Sequence, residues 1–145
     1  MLALSFGLTI ALAACGSDGN APVDPTSADT PVGSYSILTV NGKALPAAVI
    51  DVQMPAPYKV EVVSGVLNLT ADGKYTVVTR TRETIPNNVS NYVDSTFGTW
   101  TRSGTEINLK NGEDPNAMSK GTWAGFQMTF VMVDSAFTTT FVYKK

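Results

Sequence analysis

The sequence contains no histidine and a single cysteine, and these absences remove most of the familiar catalytic chemistries. Without histidine there is no imidazole base for a Ser-His-Asp or Cys-His nucleophile system, and zinc sites lose their usual nitrogen ligand. One cysteine cannot form an intrachain disulfide. No glycine-rich loop joins a strand pattern to a helix pattern, so no phosphate cradle is expected. The composition therefore predicts a protein that is not an enzyme and holds no metal or other cofactor.

The first 14 residues are uncharged and mostly apolar. The run is too short to span a bilayer, which takes about 20 apolar residues, but it has the length of a signal-peptide core. It ends in Leu12-Ala13-Ala14-Cys15, which resembles a bacterial lipobox. We therefore expect residues 1–14 to be a cleaved signal peptide and Cys15 to carry palmitate or related acyl chains. No basic residue precedes the run, so we expect the true translation start to lie upstream of Met1.

An alternative places the same run in a buried N-terminal element, with Cys15 as an apolar core residue. The turn-forming residues 16–20 argue against it. After Cys15, residues 16–31 are Gly, Ser, Asp, Asn, Ala, Pro and Thr, with Val23 as the one larger apolar residue. We therefore predict that residues 15–31 form a disordered linker that begins at the lipidated cysteine. Lipoproteins with Asp after the acylated cysteine tend to stay on the inner membrane. Here Gly16 follows, so the resemblance favours the outer membrane.

The net charge of −2 comes from the linker, which holds three aspartates and no basic residue. The remaining chain, residues 32–145, carries ten basic and nine acidic residues and is close to neutral. A near-neutral domain offers no basic patch of the kind that binds nucleic acid. We therefore expect the partners to be the membrane, through the lipid anchor, and a small hydrophobic ligand, with the protein itself a monomer.

Residues 32–145 have the composition of β-strands, with turn signals recurring roughly every 8–12 residues. At most one short turn of helix is expected, near Leu45–Ile50. The apolar residues before Ser64-Gly65 fall at even positions, such as Val60 and Val62, whereas Leu67 and Leu69 after it fall at odd positions. Both sets can face the interior only if one residue is inserted between them, so we predict a β-bulge at Ser64-Gly65. Antiparallel strands in meander order remove their free edges by closing, so we predict an all-β, up-and-down barrel of about eight strands. The expected strands are Ser34–Val40, Tyr58–Val63, Val66–Thr70, Lys74–Thr84, Tyr92–Arg102, Glu106–Lys110, Met118–Ala124, Phe126–Val133 and Thr138–Lys144.

Three segments, Val32–Ser36, Val40–Pro46 and Ser64–Thr76, are similar to small bacterial lipocalin-like lipoproteins. This resemblance covers most of residues 32–145 and implies an eight-stranded lipocalin-like barrel. The chain departs from true lipocalins at Tyr35, where the first-strand motif Gly-x-Trp has tryptophan. In that family a basic residue of the last strand packs near the first-strand aromatic residue, and Lys144 is the candidate here.

Phe126, Met128, Phe130 and Met132 are expected on one face of a predicted strand. With Tyr35, Trp100 and Trp123 they form the candidate lining of a pocket for a hydrophobic guest. The alternative, which we favour, is that they fill a small barrel whose interior has little free space. Two Gly-Thr-Trp repeats, at residues 98–100 and 121–123, are interpreted as corners where glycine allows close backbone approach.

These features predict a membrane-anchored envelope lipoprotein whose non-catalytic barrel binds a small hydrophobic ligand or another envelope component. One alternative is a carboxylate-based hydrolase acting on envelope glycans. Another is a structural or inhibitory module whose loop Ile85–Tyr92 contacts a partner. Residues 111–116 could also hold calcium, although turn chemistry explains their Asn, Asp and Gly content equally well. The acidic candidates for the hydrolase are Glu61, Glu83, Asp94, Glu106, Glu113, Asp114 and Asp134.

Overall fold

Ten antiparallel strands make up the part of the chain that this computed structural model describes, residues 30–114, 116–133 and 137–145. No helix within those residues is long and apolar enough to cross a membrane. The predicted signal peptide, Cys15 and residues 16–29 of the predicted linker lie outside the described residues. The strands are β1 Gly33–Val40, β2 Lys43–Ala44, β3 Ala47–Val52, β4 Tyr58–Leu69, β5 Lys74–Ile85, β6 Asn88–Ser103, β7 Glu106–Asn111, β8 Met118–Ala124, β9 Gln127–Val133 and β10 Thr138–Lys144.

Eight of these strands close into an up-and-down barrel, which confirms the predicted fold class. The order runs β1-β10-β9-β8-β7-β6-β5-β4, and β4 pairs with β1 to complete the ring. The closing contact is short, from Gly33 opposite Leu69 to Ser36 opposite Val66. Beyond it β1 and β4 separate, because β1 then pairs with β2 and the first half of β4 pairs with β3.

β3 lies between Val40 and Tyr58, a stretch in which the sequence predicted no strand. The predicted turn of helix near Leu45–Ile50 is therefore wrong. The prolines, Pro46, Pro55 and Pro57, bracket the strand instead of interrupting it. β3 is hydrogen-bonded to β4 alone in the sheet order, and flanking prolines are tolerated at such an edge because no ladder bond is lost.

The predicted bulge is present in β4, one residue before its expected place. The register with β5 shifts between Val62 and Ser64, so Val63 is the extra residue and its side chain is partly exposed. This insertion lets Val62 and Leu67 both face the barrel interior although their spacing is odd. The two strands predicted from Tyr58 to Thr70 are consequently one continuous strand.

One end of the barrel, which we term the closed end, is filled with large side chains. It lies where β1 begins and β4 ends. The Tyr35 hydroxyl donates a hydrogen bond to the Pro31 carbonyl at 2.9 Å. Thr30 and Pro31, which the sequence assigned to the linker, are buried against this end. The buried apolar residues are Tyr35, Ile37, Val40, Ala47, Val62, Leu67, Leu69, Tyr75, Ile107, Leu109, Trp123, Met128, Phe130 and Tyr143.

Two cations cover aromatic rings at the closed end. The Arg102 guanidinium lies 4.1 Å from the centre of the Trp123 ring. The Lys145 ammonium lies 5.7 Å from the centre of the Tyr35 ring. Lys144, the expected partner of Tyr35, is exposed instead. Because successive strand residues face opposite sides, the residue after Lys144 is the one that can reach the aromatic ring.

The opposite end, which we term the open end, has a wall of uneven height. Of the 16 residues of β6, only residues 98–103 pair with β7. The first part of β6 therefore extends beyond the end of β7 and pairs with β5 alone. β8 and β9 are paired from Gly121 and Phe130 to their connecting turn, and they separate toward the open end. At this end the described strands therefore surround a space that their side chains do not fill.

Candidate functional site

The interior of the open end contains two adjoining cavities, of about 290 Å³ and 300 Å³. Both are lined by Thr79, Met132 and Phe141, so they share a wall between β5, β9 and β10. Volumes of this order lie at the lower limit for small-molecule sites. The first is also lined by Val49, Ile50, Val62, Thr81, Phe137 and Thr139, and the second by Tyr75, Val77, Thr96, Leu109, Asn111, Ser119 and Tyr143.

The cavity exists because inward side chains become smaller toward the open end. On β5 the inward positions run from Tyr75, which is buried, through Val77 to Thr79 and Thr81. Tyr75 pairs with Leu69 of β4, deep in the filled half of the barrel, whereas Thr79 pairs with Gly65, where the Ile37 side chain takes up the space beside the glycine. The strand therefore fills one half of the barrel and leaves the other half hollow.

The inward side chains of β10 also become smaller toward the open end, although β10 runs in the opposite direction along the chain. Its inward residues are Thr139, Phe141 and Tyr143, in order from the open end to the closed end. Tyr143 is buried and lies edge-on to Phe130, with ring centres 6.1 Å apart. Tyr143 lines the cavity at its deep end, and Phe130 packs against the Tyr143 ring without lining the cavity itself. An interior that tapers in this way has room for one small guest above a packed base.

The described lining is apolar, with hydroxyl groups and one amide, and it contains no acidic or basic side chain. Burial raises the pKa of Tyr143 to about 12, and it also raises the pKa of Tyr75. Both phenols are therefore neutral at physiological pH. An uncharged cavity favours an uncharged apolar group, since an ion entering it would lose hydration without gaining a counter-ion.

The rim of the open end is apolar as well. Met132 and Phe137 line the first of the two cavities, and they are 41% and 52% exposed. Met118 and Val133 lie beside the gap between β8 and β9 and are also exposed. Flexible methionine side chains at a rim can adapt to guests of different shape. Met132 and Phe137 therefore place exposed apolar surface at the edge of the first cavity.

The seven residues proposed from the sequence as a pocket lining fall in four places. Met132 lines the cavity. Trp100 is half-buried and donates its indole N–H to the Thr70 carbonyl at 3.0 Å, and Phe126 is exposed in the turn before β9. The other four fill the closed end beneath the cavity: Tyr35, Trp123, Met128 and Phe130.

Sequence reasoning missed most of the residues that do line the cavity, including Thr79, Thr81, Thr139, Phe137 and Phe141. The available signal was the fall in size along the inward positions of β5. Each threonine alone looks like an ordinary strand residue. The pattern becomes informative only when pairing shows that the small inward positions of several strands lie at the same level.

The candidate carboxylates do not line the cavity in the described part of the chain, and Asp134 lies outside that part. Glu61 is nearly buried on the outer face of the sheet. It accepts hydrogen bonds from Arg82 at 2.7 and 3.0 Å and pairs with Lys59 at 2.7 Å. These partners hold the pKa of Glu61 below its ordinary value despite its burial. Its charge is thus used in cross-strand pairing.

The Asn111–Asn116 loop uses its oxygens within the turn. The Asn111 Oδ1 accepts the backbone N–H groups of Glu113 at 2.7 Å and Asp114 at 3.3 Å, and an Asp114 carboxylate oxygen accepts that of Asn116 at 3.0 Å. Among the described residues, no three His, Cys, Asp or Glu side chains come together to hold a metal ion. The loop therefore gives the calcium hypothesis no support.

No protein-family model matches this chain, and no curated protein matches it significantly.

Proposed function

We propose that this protein is a lipid-anchored envelope lipoprotein whose barrel binds a small apolar or amphipathic ligand in the cavity at the open end. The observation that carries the proposal is the uncharged lining of that cavity beneath an apolar rim. Ligand sites in proteins are typically concave and mostly apolar, with a few polar groups that orient the guest. Here Thr79, Thr81 and Thr139 are those groups.

The shape of the cavity favours a molecule with one apolar chain or ring and a polar group at its end. The floor, near Phe141 and Tyr143, is aromatic and buried, whereas the threonines and the solvent lie above it. An apolar end placed on the floor gains burial, and a polar end near the mouth keeps its hydration. Binding is favoured over glycan hydrolysis because the described lining supplies no pair of carboxylates.

A lipocalin-like assignment is supported by the closed end. Gly33, Ser34 and Tyr35 stand at the start of the first strand, where lipocalins have Gly-x-Trp, and the Lys145 ammonium covers the Tyr35 ring. A basic residue near the end of the last strand thus meets the first-strand aromatic residue, as the resemblance implies. The shared arrangement concerns the packed base of the barrel and leaves the identity of the ligand open.

Filling the cavity should weaken ligand binding. Thr79→Phe places a ring in the wall shared by both cavities, and we expect it to weaken binding of a dansylated undecanoic acid by at least about tenfold, or about 1.4 kcal/mol. Binding is measured from the rise in dansyl fluorescence on titration. Thr76→Phe is the matched control, because Thr76 lies on the same strand but faces outward and is exposed.

Equal affinities of the two variants for the fatty-acid probe would show that the probe binds elsewhere on the surface. No binding by the unmodified protein to this probe or to a smaller apolar dye would reject the ligand-binding proposal. Circular dichroism of both variants establishes that each remains folded.

The anchor is tested separately. We expect Cys15→Ser to abolish incorporation of radiolabelled palmitate when the chain is expressed in a bacterial host, because the acylated thiol is removed. The protein should then leave the membrane fraction. Palmitate incorporation equal to that of the unmodified chain would reject the anchor assignment but would leave the proposed cavity function intact.

A further inference from the structure

The first part of β6, Asn88–Phe97, is a long exposed strand edge. It pairs with β5 on one side, from Asn88 opposite Ile85 to Phe97 opposite Thr76. No other described strand pairs with it, because β7 reaches only residues 98–103. Val89, Tyr92, Val93 and Phe97 along it are between 48% and 60% exposed. We name this segment the β6 edge.

The backbone of the β6 edge presents free hydrogen-bonding groups in a defined order. The backbone carbonyl of Phe97 accepts the Gly112 N–H at 2.9 Å. The backbone N–H and C=O groups of Phe97 therefore point away from β5. The register with β5 shows no bulge, and alternate residues of an antiparallel strand direct their backbone groups to the same side. The N–H and C=O groups of Val89, Asn91, Val93 and Ser95 therefore also point away from β5.

The β6 edge has none of the features that usually prevent strands from pairing at an open edge. It contains no lysine, no proline and no bulge, and its only charge is Asp94. Strand edges of this length that carry apolar side chains act as templates for pairing with another chain. The edge is therefore suited to receive an additional strand.

We propose that the β6 edge is the contact surface for a second copy of this chain, joined antiparallel with Val93 opposite Val93 of the other copy. This inference goes beyond the proposed ligand binding, and it differs from the monomer expected from the sequence. A two-fold axis through Val93 would let the two valines exchange both backbone hydrogen bonds. Asn91 of each copy would exchange bonds with Ser95 of the other in the same way.

The choice of register follows from the side chains. With Val93 on the axis, Val89 faces Phe97 of the other copy, so apolar groups meet on the outer face of the joined sheet. Asp94 then faces Tyr92. A shift that places Asp94 on the axis would bring two carboxylates directly opposite each other, which is destabilising. A shift that places Tyr92 on the axis would set Asn91 against Val93 and lose the apolar pairing.

A cysteine at position 93 should report this register. In the full chain carrying Cys15→Ser, purified in detergent, Val93→Cys is expected to form a disulfide-linked dimer under mild oxidation. Hydrogen-bonded antiparallel pairs have Cα atoms about 5.5 Å apart, within the range that a disulfide bridges. Ser95→Cys in the same background is the matched control. Its thiol would lie roughly 13 Å from its equivalent, given a rise of about 3.3 Å per residue.

Cross-linking of Val93→Cys in at least about tenfold excess over Ser95→Cys is the expected result on non-reducing gels. Equal cross-linking of both variants, or of neither, would overturn the proposal. A second measurement does not depend on oxidation. Val93→Lys should shift the sedimentation of the full chain from dimer to monomer, whereas Val131→Lys, at an exposed position outside the β6 edge, should not. A wild-type chain that sediments as a monomer at all concentrations would also overturn it.

Discussion

Gly98→Ala is expected to lower the free energy of unfolding by at least about 3 kcal/mol, or to prevent folding, because its methyl group has no space. A Cβ at this position would overlap the Lys110 carbonyl oxygen of the neighbouring strand. It would also lie 2.9 Å from the Tyr75 ring and 3.0 Å from the Gly112 nitrogen. Two of these three obstacles are backbone atoms, so relief requires the strands to separate. Urea unfolding followed by circular dichroism measures the change.

Gly104→Ala is the control for the general effect of replacing glycine in this protein. Gly104 has a φ of +61° and no atom within 4 Å of an added Cβ, so the only cost is the left-handed backbone, about 1 kcal/mol. If Gly98→Ala were no more destabilising than Gly104→Ala, the close approach of β6 and β7 would not be a structural requirement. The prediction would then be wrong.

The repeated Gly-Thr-Trp motif shows what the sequence could reveal about local structure. It predicts close backbone approach at both copies, and the structure confirms this at Gly98 and at Gly121. An added Cβ at Gly121 would lie 2.6 Å from the Phe130 ring and 2.8 Å from the Thr129 carbonyl oxygen. The signal was sufficient because it depends only on glycine followed by an aromatic strand residue, whatever the partner strand is.

Strand positions were predictable for a similar reason. Alternation and turn residues located most barrel strands to within a few residues, since both are properties of short stretches of chain. β3 was missed because the prolines around it suggested a loop, and their positions just outside the strand cannot be distinguished from positions within it without the pairing to β4. The sequence predicted the bulge at Ser64-Gly65, one residue after its observed place at Val63. The alternation of apolar residues shows that an extra residue is inserted, but only the hydrogen bonds to β5 show which residue it is.

The cavity and the β6 edge could not be read from the sequence, because both are consequences of register. Thr79, Thr139 and Met132 become neighbours only when β5, β9 and β10 are set at their observed heights. Similarly, no described strand pairs with the β6 edge, because β7 is much shorter than β6. The sequence predicted a strand only over Tyr92–Arg102 and a loop at Ile85–Tyr92, whereas residues 88–92 belong to β6. Differences in strand length and register across a closed sheet therefore produce both the cavity and the β6 edge.

Replacing phenylalanine by alanine should affect stability very differently at a buried position of the barrel, Phe130, and at an exposed turn, Phe126. Phe130 is 1% exposed and contacts the cavity-lining residue Tyr143 edge-on, whereas Phe126 is 48% exposed. Phe130→Ala is expected to lower the free energy of unfolding by about 3–5 kcal/mol through lost burial and a new void. Phe126→Ala should change it by no more than about 0.5 kcal/mol. Thermal unfolding of both variants measures the difference.

The same pair of variants links stability to the proposed binding. The void left by Phe130→Ala would lie beside the cavity-lining residue Tyr143, so an apolar chain that enters from the open end can extend into it. Dodecanoic acid should therefore raise the unfolding temperature of Phe130→Ala by more than that of Phe126→Ala, since a ligand that binds only the folded state stabilises it by mass action. An equal shift in both variants would mean that the fatty acid does not reach the floor. The ligand would then sit at the rim, near Met132 and Phe137, and the aromatic floor would serve packing alone.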